Sequence, residues 1–276
     1  MKGLSWTIAA TGLAVAIYGL SVNAANVSNS PELGKKPELR LSEVSNKDEK
    51  FYNQRGIERA SAGKITEAIA DFNQALQINP QYAEAYRNRG IARGLSGDLK
   101  AAIADFNQAL QINPQYADAY KNRGKALMLS GDLKAAIADF NQALQINPND
   151  DDAYYSRGVA RDKAGDLKGS IEDFNQALRI NPKYVDAYNN RGVKYAQTGD
   201  LKAAIADFNQ ALQINPNNAD SYNNRGLAYS KIGDVKKAIA DLQKAAKLFQ
   251  QQGDTAKSQA ALDQIRQINN SSKIRT

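Results

Sequence analysis

Six Arg-Gly pairs, at Arg55-Gly56, Arg89-Gly90, Arg123-Gly124, Arg157-Gly158, Arg191-Gly192 and Arg225-Gly226, follow one another at intervals of 34 residues. A self-similar period of roughly 20–50 residues marks a solenoid, in which each unit buries its apolar face only against its neighbours. Two further punctuations keep the same beat: Asn-Pro from Asn79-Pro80 to Asn215-Pro216, and Gly-Asp from Gly97-Asp98 to Gly233-Asp234, with Gly63-Lys64 as the first variant. Each period is therefore two segments and two turns.

Both segments read as helices. Over Leu99 to Leu110 the apolar residues Leu99, Ala102, Ile103, Phe106, Ala109 and Leu110 share one helical face, where a strand would alternate. Asp98 is placed to cap the helix, since its carboxylate accepts an orphan backbone N–H at the positive end of the dipole. Pro114 has no N–H to donate and disfavours helix at Asn113, so the segment stops there and the next begins near Ala117.

With Gly90 set at the eighth position of its unit, Tyr86 falls at 4, Ala102 at 20, Phe106 at 24, Ala109 at 27 and Pro114 at 32. The chain thereby resembles the tetratricopeptide repeat family, in its exported bacterial tandem form. The resemblance covers units 49–82, 83–116, 117–150, 151–184, 185–218 and 219–252, about three quarters of the sequence. It implies an all-α, right-handed superhelical solenoid of helix-turn-helix units. Small residues at 8, 20 and 27 let the two helices of a unit approach closely.

The last unit departs from the pattern. Leu242 replaces the phenylalanine, Ala245-Ala246 replaces Ala-Leu, and Gln250 stands at the proline position. Without that proline the helix is expected to run to about Gln252. A capping helix is expected over 253–269, with Ala261, Leu262, Ile265 and Ile268 on its apolar face, and a frayed tail over 270–276.

Residues 3–25 carry no charge and end in Val22-Asn23-Ala24, small residues standing at the two sites a signal peptidase reads. Residues 1–24 therefore read as an export signal cut after Ala24, the alternative being an uncleaved inner-membrane anchor over residues 3–22. Either way the repeats face the periplasm or another extracytoplasmic space. Residues 25–46, rich in Asn, Ser, Pro and Lys, read as a flexible linker.

Composition narrows the chemistry. The chain has no histidine and no cysteine, which removes the usual general base, the commonest metal ligands, disulfides and a site for lipid attachment. Its carboxylates recur at equal spacing in capping and first-turn positions, a structural pattern and not a catalytic one. No enzyme activity, no cofactor and no metal are expected. The formal charge of +7 is spread around the helices and interleaved with acids, unlike the clustered patch that nucleic acid requires.

Recognition of a protein or peptide remains. By family analogy the first helix of each unit lines a groove. Position 6 carries Gln54, Asn88, Asn122, Ser156, Asn190 and Asn224, a row of amides resembling the asparagine ladder that contacts a ligand backbone in some peptide-binding arrays. Repeat duplication of a soluble residue explains the row equally well. Position 5 carries Asn53, Arg87, Lys121, Tyr155, Asn189 and Asn223, and position 9 adds Lys125 among aliphatic residues. The candidate groove is therefore amide-rich, and basic in its second and third units. The two-carboxylate clamp of co-chaperones fails here, because the corresponding set is Lys121, Lys125, Ser156, Asp186 and Asn190.

Position 7, commonly leucine in the family, is arginine in all six units, and position 23 of the partner helix is aspartate with equal regularity. The expectation is a structural ladder of Arg89 with Asp105, Arg123 with Asp139, Arg157 with Asp173 and Arg191 with Asp207. An arginine ladder for an anionic ligand is the alternative. The reading is an interaction scaffold or adaptor holding a partner's peptide segment, in envelope or complex assembly. Self-association through repeat ends, or saccharide binding, are the competing classes.

Overall fold

A computed structural model describes residues 48–273. The export signal or anchor of residues 1–24 and the linker of residues 25–46 lie outside the described residues. Those residues form thirteen helices and no strand. They divide into two compact units, one ending at Pro148 and the other beginning at Asn149.

The first unit holds three hairpins. These are α1 (Glu49–Ser61) with α2 (Ile65–Ile78), α3 (Ala83–Leu95) with α4 (Leu99–Ile112), and α5 (Ala117–Ser130) with α6 (Leu133–Ile146). The second unit holds α7 (Asp151–Lys163) with α8 (Leu167–Ile180), α9 (Val185–Gln197) with α10 (Leu201–Ile214), and α11 (Ala219–Lys231) with α12 (Val235–Gln251). It closes with α13 (Thr255–Lys273).

Local chemistry sets these boundaries. Asp98 Oδ1 accepts from the Ala101 N–H at 3.0 Å at the start of α4, and Asp132, Asp166, Asp200 and Asp234 do the same for the later second helices. Lys64 supplies no such side-chain bond to α2. Gly97 adopts φ of +90°, the left-handed conformation that a turn of this tightness needs and that glycine takes without strain. After α2, α4, α8 and α10 the asparagine of Asn-Pro folds back on the chain, as where Asn113 Oδ1 accepts from the Gln115 N–H at 3.0 Å.

Packing follows from the apolar face of the second helix. Phe106 of α4 is fully buried with Leu95 of its own hairpin and Ala126 of the next first helix, while Ala109 and Leu110 close against Ala119 under Tyr86, Tyr116 and Tyr120. Helix α4 is thus covered on both sides, which no single repeat achieves alone. Gly90 is the contact point, since a Cβ there would stand 2.6 Å from Phe106 Cε1. Gly90→Ala is expected to lose about 1–3 kcal/mol through overpacking, against about 1 kcal/mol regained in helix propensity. Urea unfolding measures the balance, and a net gain would refute the close-approach role.

The end of the array extends further than the sequence suggests. Helix α12 ends at Gln251, Gly253 takes φ of +80°, and Asp254 Oδ1 accepts from the Lys257 N–H. Helix α13 covers the last repeat with Ala261, Ile265 and Ile268 against Leu242 and Ala246. Leu262, expected on that face, points outward and is 39% exposed. The tail expected from residue 270 is helical as far as Lys273, because no proline or glycine follows Ile268 to stop the helix. Among the described residues, no helix is long and apolar enough to cross a membrane.

Candidate functional site

The arginines of the Arg-Gly pairs lie between the helices of each hairpin. Arg89 donates from Nε to Asp105 Oδ2 at 3.0 Å and from Nη2 to Oδ1 at 2.7 Å. The same two-pronged contact joins Arg123 to Asp139, Arg157 to Asp173, Arg191 to Asp207 and Arg225 to Asp241. Each of these arginines also lies over the tyrosine three residues before it, at 5.3–5.6 Å from the ring centre, as in Arg89 over Tyr86 and Arg191 over Tyr188. The remaining prong leaves the hairpin: Arg89 Nη1 donates to Asn73 Oδ1 of the preceding repeat at 2.6 Å. Arg123 to Asn107, Arg191 to Asn175 and Arg225 to Asn209 repeat the bridge.

In these four repeats all three guanidinium nitrogens are engaged, by an Asp sixteen residues ahead and an Asn sixteen residues behind. Those asparagines and the second arginine at position 11 were not among the sequence candidates. The 34-residue recurrence of Asp-Phe-Asn was the available signal for the first. For the second, Arg59, Arg93 and Arg161 each donate to the same Asp as the first arginine. Where position 11 is Tyr195 or Tyr229, the ring lies beside Arg191 or Arg225 instead.

The amide row behaves differently from a free donor–acceptor ladder. Asn88 Nδ2 donates to Asn53 Oδ1 at 3.0 Å, Asn190 Nδ2 to the Tyr155 hydroxyl at 2.9 Å, and Asn224 Nδ2 to Asn189 Oδ1 at 3.1 Å. Position 6 of one first helix is thus tied to position 5 of the one before it, 35 residues earlier, and these amides are taken up between repeats. Asn223 Nδ2 leans on Asn224 Oδ1 at 3.5 Å, and Asn189 Oδ1 also accepts from Ser221. Exposed Gln54 donates to Glu58 at 3.1 Å.

Among the basic candidates, Arg87 donates from Nη1 to Asn88 Oδ1 at 3.0 Å, and Lys121 pairs with Asp118 at 3.4 Å. Lys125, expected to line a groove, is buried, as are Asn88 and Asn122. Tyr155 packs its ring on Phe174 and Tyr184, with centroids 5.8 and 4.8 Å away.

Burial raises the ionisation of Tyr155 and Tyr184 well above the usual phenol value, reinforced by Asp186 beside the first and Asp152 beside the second. Their folded-state pKa exceeds the unfolded value of about 10, so the stabilisation is complete below pH 10 and lost as pH rises beyond it. Phenolate absorbance is expected to show both rings ionising only as the second unit unfolds in alkali. Ionisation of both near pH 10 in the folded protein would contradict their enclosure.

An open cleft of about 330 Å³ lies within the second unit. Val193, Ala196 and Gln197 of α9 line it with Asn224, Leu227, Ala228, Ser230 and Lys231 of α11, floored by Phe208 and edged by Gln264 of α13. Most of these belong to first helices, at positions 6, 9, 12 and 13.

The sequence matches the family profile described as TPR repeat over residues 56–97, 95–131, 124–165, 163–199 and 194–233, and that described as Tetratricopeptide repeat over 219–252. The chain belongs to the tetratricopeptide repeat family. No match is found among curated proteins. Among solved structures, YrrB, described as a TPR protein with an unusual peptide-binding site, shares 25% identity over 70% of this chain and 97% of its own, with a TM-score of 0.56. The Pseudomonas aeruginosa pilF protein shares 18% identity over 77% of this chain and 96% of its own, with a TM-score of 0.68. The APC/C Cut9–Hcn1 hetero-tetramer shares 21% identity over 80% of this chain at a TM-score of 0.67, and the match spans only 43% of that longer chain. Tetratricopeptide arrays are protein-interaction scaffolds, and this chain is built as one.

Proposed function

We propose that the array holds an extended peptide segment of a protein partner along the first-helix face of its repeats. The observation that carries this is the cleft in the second unit. It is formed by first-helix residues, has apolar walls at Val193, Ala196 and Leu227, and carries polar groups at Gln197, Asn224, Ser230 and Lys231 along its length. Apolar walls with the polar ends of Gln197, Ser230 and Lys231 beside them suit the alternating side chains and the backbone of a bound segment. YrrB supports the reading by likeness, as a structure described by its peptide-binding site. The array is preformed and recognition is passive, with specificity resting on a few side chains.

A photo-cross-linker at Gln197, in the cleft, is compared with one at Lys202, on the exposed side of α10. Gln197 is expected to capture one continuous stretch of a partner sequence, readable by mass spectrometry, and Lys202 is not. Equal capture from both positions, or none from Gln197, sinks the groove reading.

We further propose that binding takes place outside the cytoplasm, in envelope or complex assembly. The support is the uncharged segment ending at Ala24, and intact mass of the native protein tests it. A mature chain beginning at Ala25 is expected. A chain retaining residues 1–24 favours the membrane anchor, and recovery from the cytoplasm removes both.

A further inference from the structure

The large apolar side chains exposed among the described residues, Phe51, Ile78, Ile232, Val235 and Leu262, lie in the first repeat, the last repeat and α13. Ile232 is the most exposed of them, at 52%, and Val235 follows it across the turn that Gly233 makes between α11 and α12 at φ of +84°. In the other repeats the residue at the place of Ile232 is Ala62, Ser96, Ser130, Ala164 or Thr198, so only the last turn carries a large aliphatic group there. A single exposed aliphatic residue is ordinary, but two on one turn among lysines are not.

Those lysines set the turn apart. Residues 231–251 hold Lys231, Lys236, Lys237, Lys244 and Lys247 against Asp234 and Asp241 alone. Asp241 is buried and taken by Arg225, while Asp234 caps α12 and pairs with Lys237 at 2.7 Å. Lys231, Lys236, Lys244 and Lys247 are exposed and pair with no carboxylate among the described residues. Lys244 and Lys247 stand where the preceding repeat has Gln210 and Gln213. Together with Lys236 they share the outer face of α12, opposite the buried Ala238, Leu242, Ala245 and Phe249. The interleaving of acid and base that holds along the rest of the chain ends at this hairpin. Phe51, by contrast, lies among Asp48, Glu49, Lys50 and Arg55, Ile78 has no charged residue within four positions, and Leu262 adjoins the paired Asp263 and Arg266.

We propose that Ile232 and Val235, with Lys231, Lys236, Lys244 and Lys247, form a contact site for an anionic lipid surface. The aliphatic groups on the turn enter the boundary between headgroups and acyl chains, while the lysine ammoniums stay at the level of the phosphates. Each lysine near such a surface adds an increment of attraction that falls off within a Debye length. An acidic protein is the poorer fit, because Ile232 and Val235 stand out on a turn and such a partner would have to bring a pocket of its own for them. A second copy of this chain meeting the same corner would oppose lysine to lysine. The site shares only Lys231 with the cleft proposed for a peptide, and it does not depend on residues 1–24.

The chain has no cysteine, so Val235→Cys places one environment-sensitive fluorophore on the turn with Ile232 intact, and Ile78→Cys places one in the first repeat as the control. The labelled full chain is titrated with vesicles of phosphatidylcholine alone and of phosphatidylcholine with roughly one third phosphatidylglycerol. The fluorophore at 235 is expected to shift to the blue on the anionic vesicles only, and the one at 78 on neither. Because the readout is local, attachment of the chain through its N-terminal segment alone leaves both fluorophores in water. Lys231→Gln with Lys236→Gln is expected to raise the lipid concentration at half-shift by about thirtyfold, and Ile232→Ser by about tenfold. All three side chains are exposed, so helical circular dichroism is expected to be unchanged in both variants. No shift at 235, an equal shift on neutral vesicles, or an unaltered midpoint in either variant overturns the proposal. A larger shift with poly-L-glutamate than with vesicles also overturns it, in favour of an acidic protein.

Discussion

Asp105→Ala is expected to destabilise the first unit by about 3–5 kcal/mol, the cost of removing one partner of a buried charge cluster. The Asp105 side chain is 3% exposed and accepts from Arg89 Nε and Nη2 and from Arg93 Nη1 at 2.8 Å. Removing it leaves two guanidiniums, 15% and 26% exposed, pointing into space from which water is largely displaced. Arg89 keeps its bond to Asn73, so the loss falls inside the second hairpin and not on the join to the first repeat.

Because a repeat array need not unfold in one step, urea denaturation is combined with amide exchange resolved by helix. Exchange is expected to accelerate first in α3 and α4. A triple replacement, Arg89→Leu and Arg93→Leu with Asp105→Leu, removes the whole charge cluster and is expected to recover most of the loss. Well-packed apolar residues are an adequate substitute for a buried ion pair. An Asp105→Ala protein within about 1 kcal/mol of the parent would show these pairs to be no stronger than surface ones.

Phe106→Ala carries a comparable penalty by a different route, about 3–5 kcal/mol from lost burial and the cavity left behind. The ring is wholly enclosed by Gly90 on its own hairpin, Leu95 and Ala102, and Ala126 of the following repeat. The aliphatic side chains and alanines around it are carried on helices held by their own hairpins, so they close the space only in part. Phe106→Leu is expected to cost under about 1.5 kcal/mol, since the last repeat already places Leu242 against Gly226 at this position. The checking measurement is the urea midpoint with the slope held constant. A Leu variant as unstable as the Ala variant would show that ring shape, and not volume, is what the site requires.

The hairpins were legible in the sequence because their causes are local. An aspartate caps its own helix three residues on, a glycine supplies its own turn, and a proline stops the helix it follows. The pairing of Arg89 with Asp105 was legible too, since two helices joined by a short turn bring residues sixteen apart side by side. Asn73, the acceptor on the other side of the same guanidinium, was visible as a repeating letter but not as a partner. Its contact depends on how one repeat is set against the next. The end of α13 was misplaced for a plainer reason: Asn269-Asn270-Ser271-Ser272 is poor helix composition but contains no residue that forces a stop.

The candidate site divides along the same line. Sequence alone determined that this is an all-helical tandem array of six repeats, which residues repeat on its first helices, and that an arginine interrupts the amide pattern at position 87. Only tertiary structure decided that Asn88, Asn190 and Asn224 are consumed by their neighbours, that Lys125 is enclosed, and that Asn122 is left with a buried donor and no acceptor. The physical reason is that a hydrogen bond between residues 35 apart is set by the offset between successive repeats, a packing quantity that no single repeat encodes.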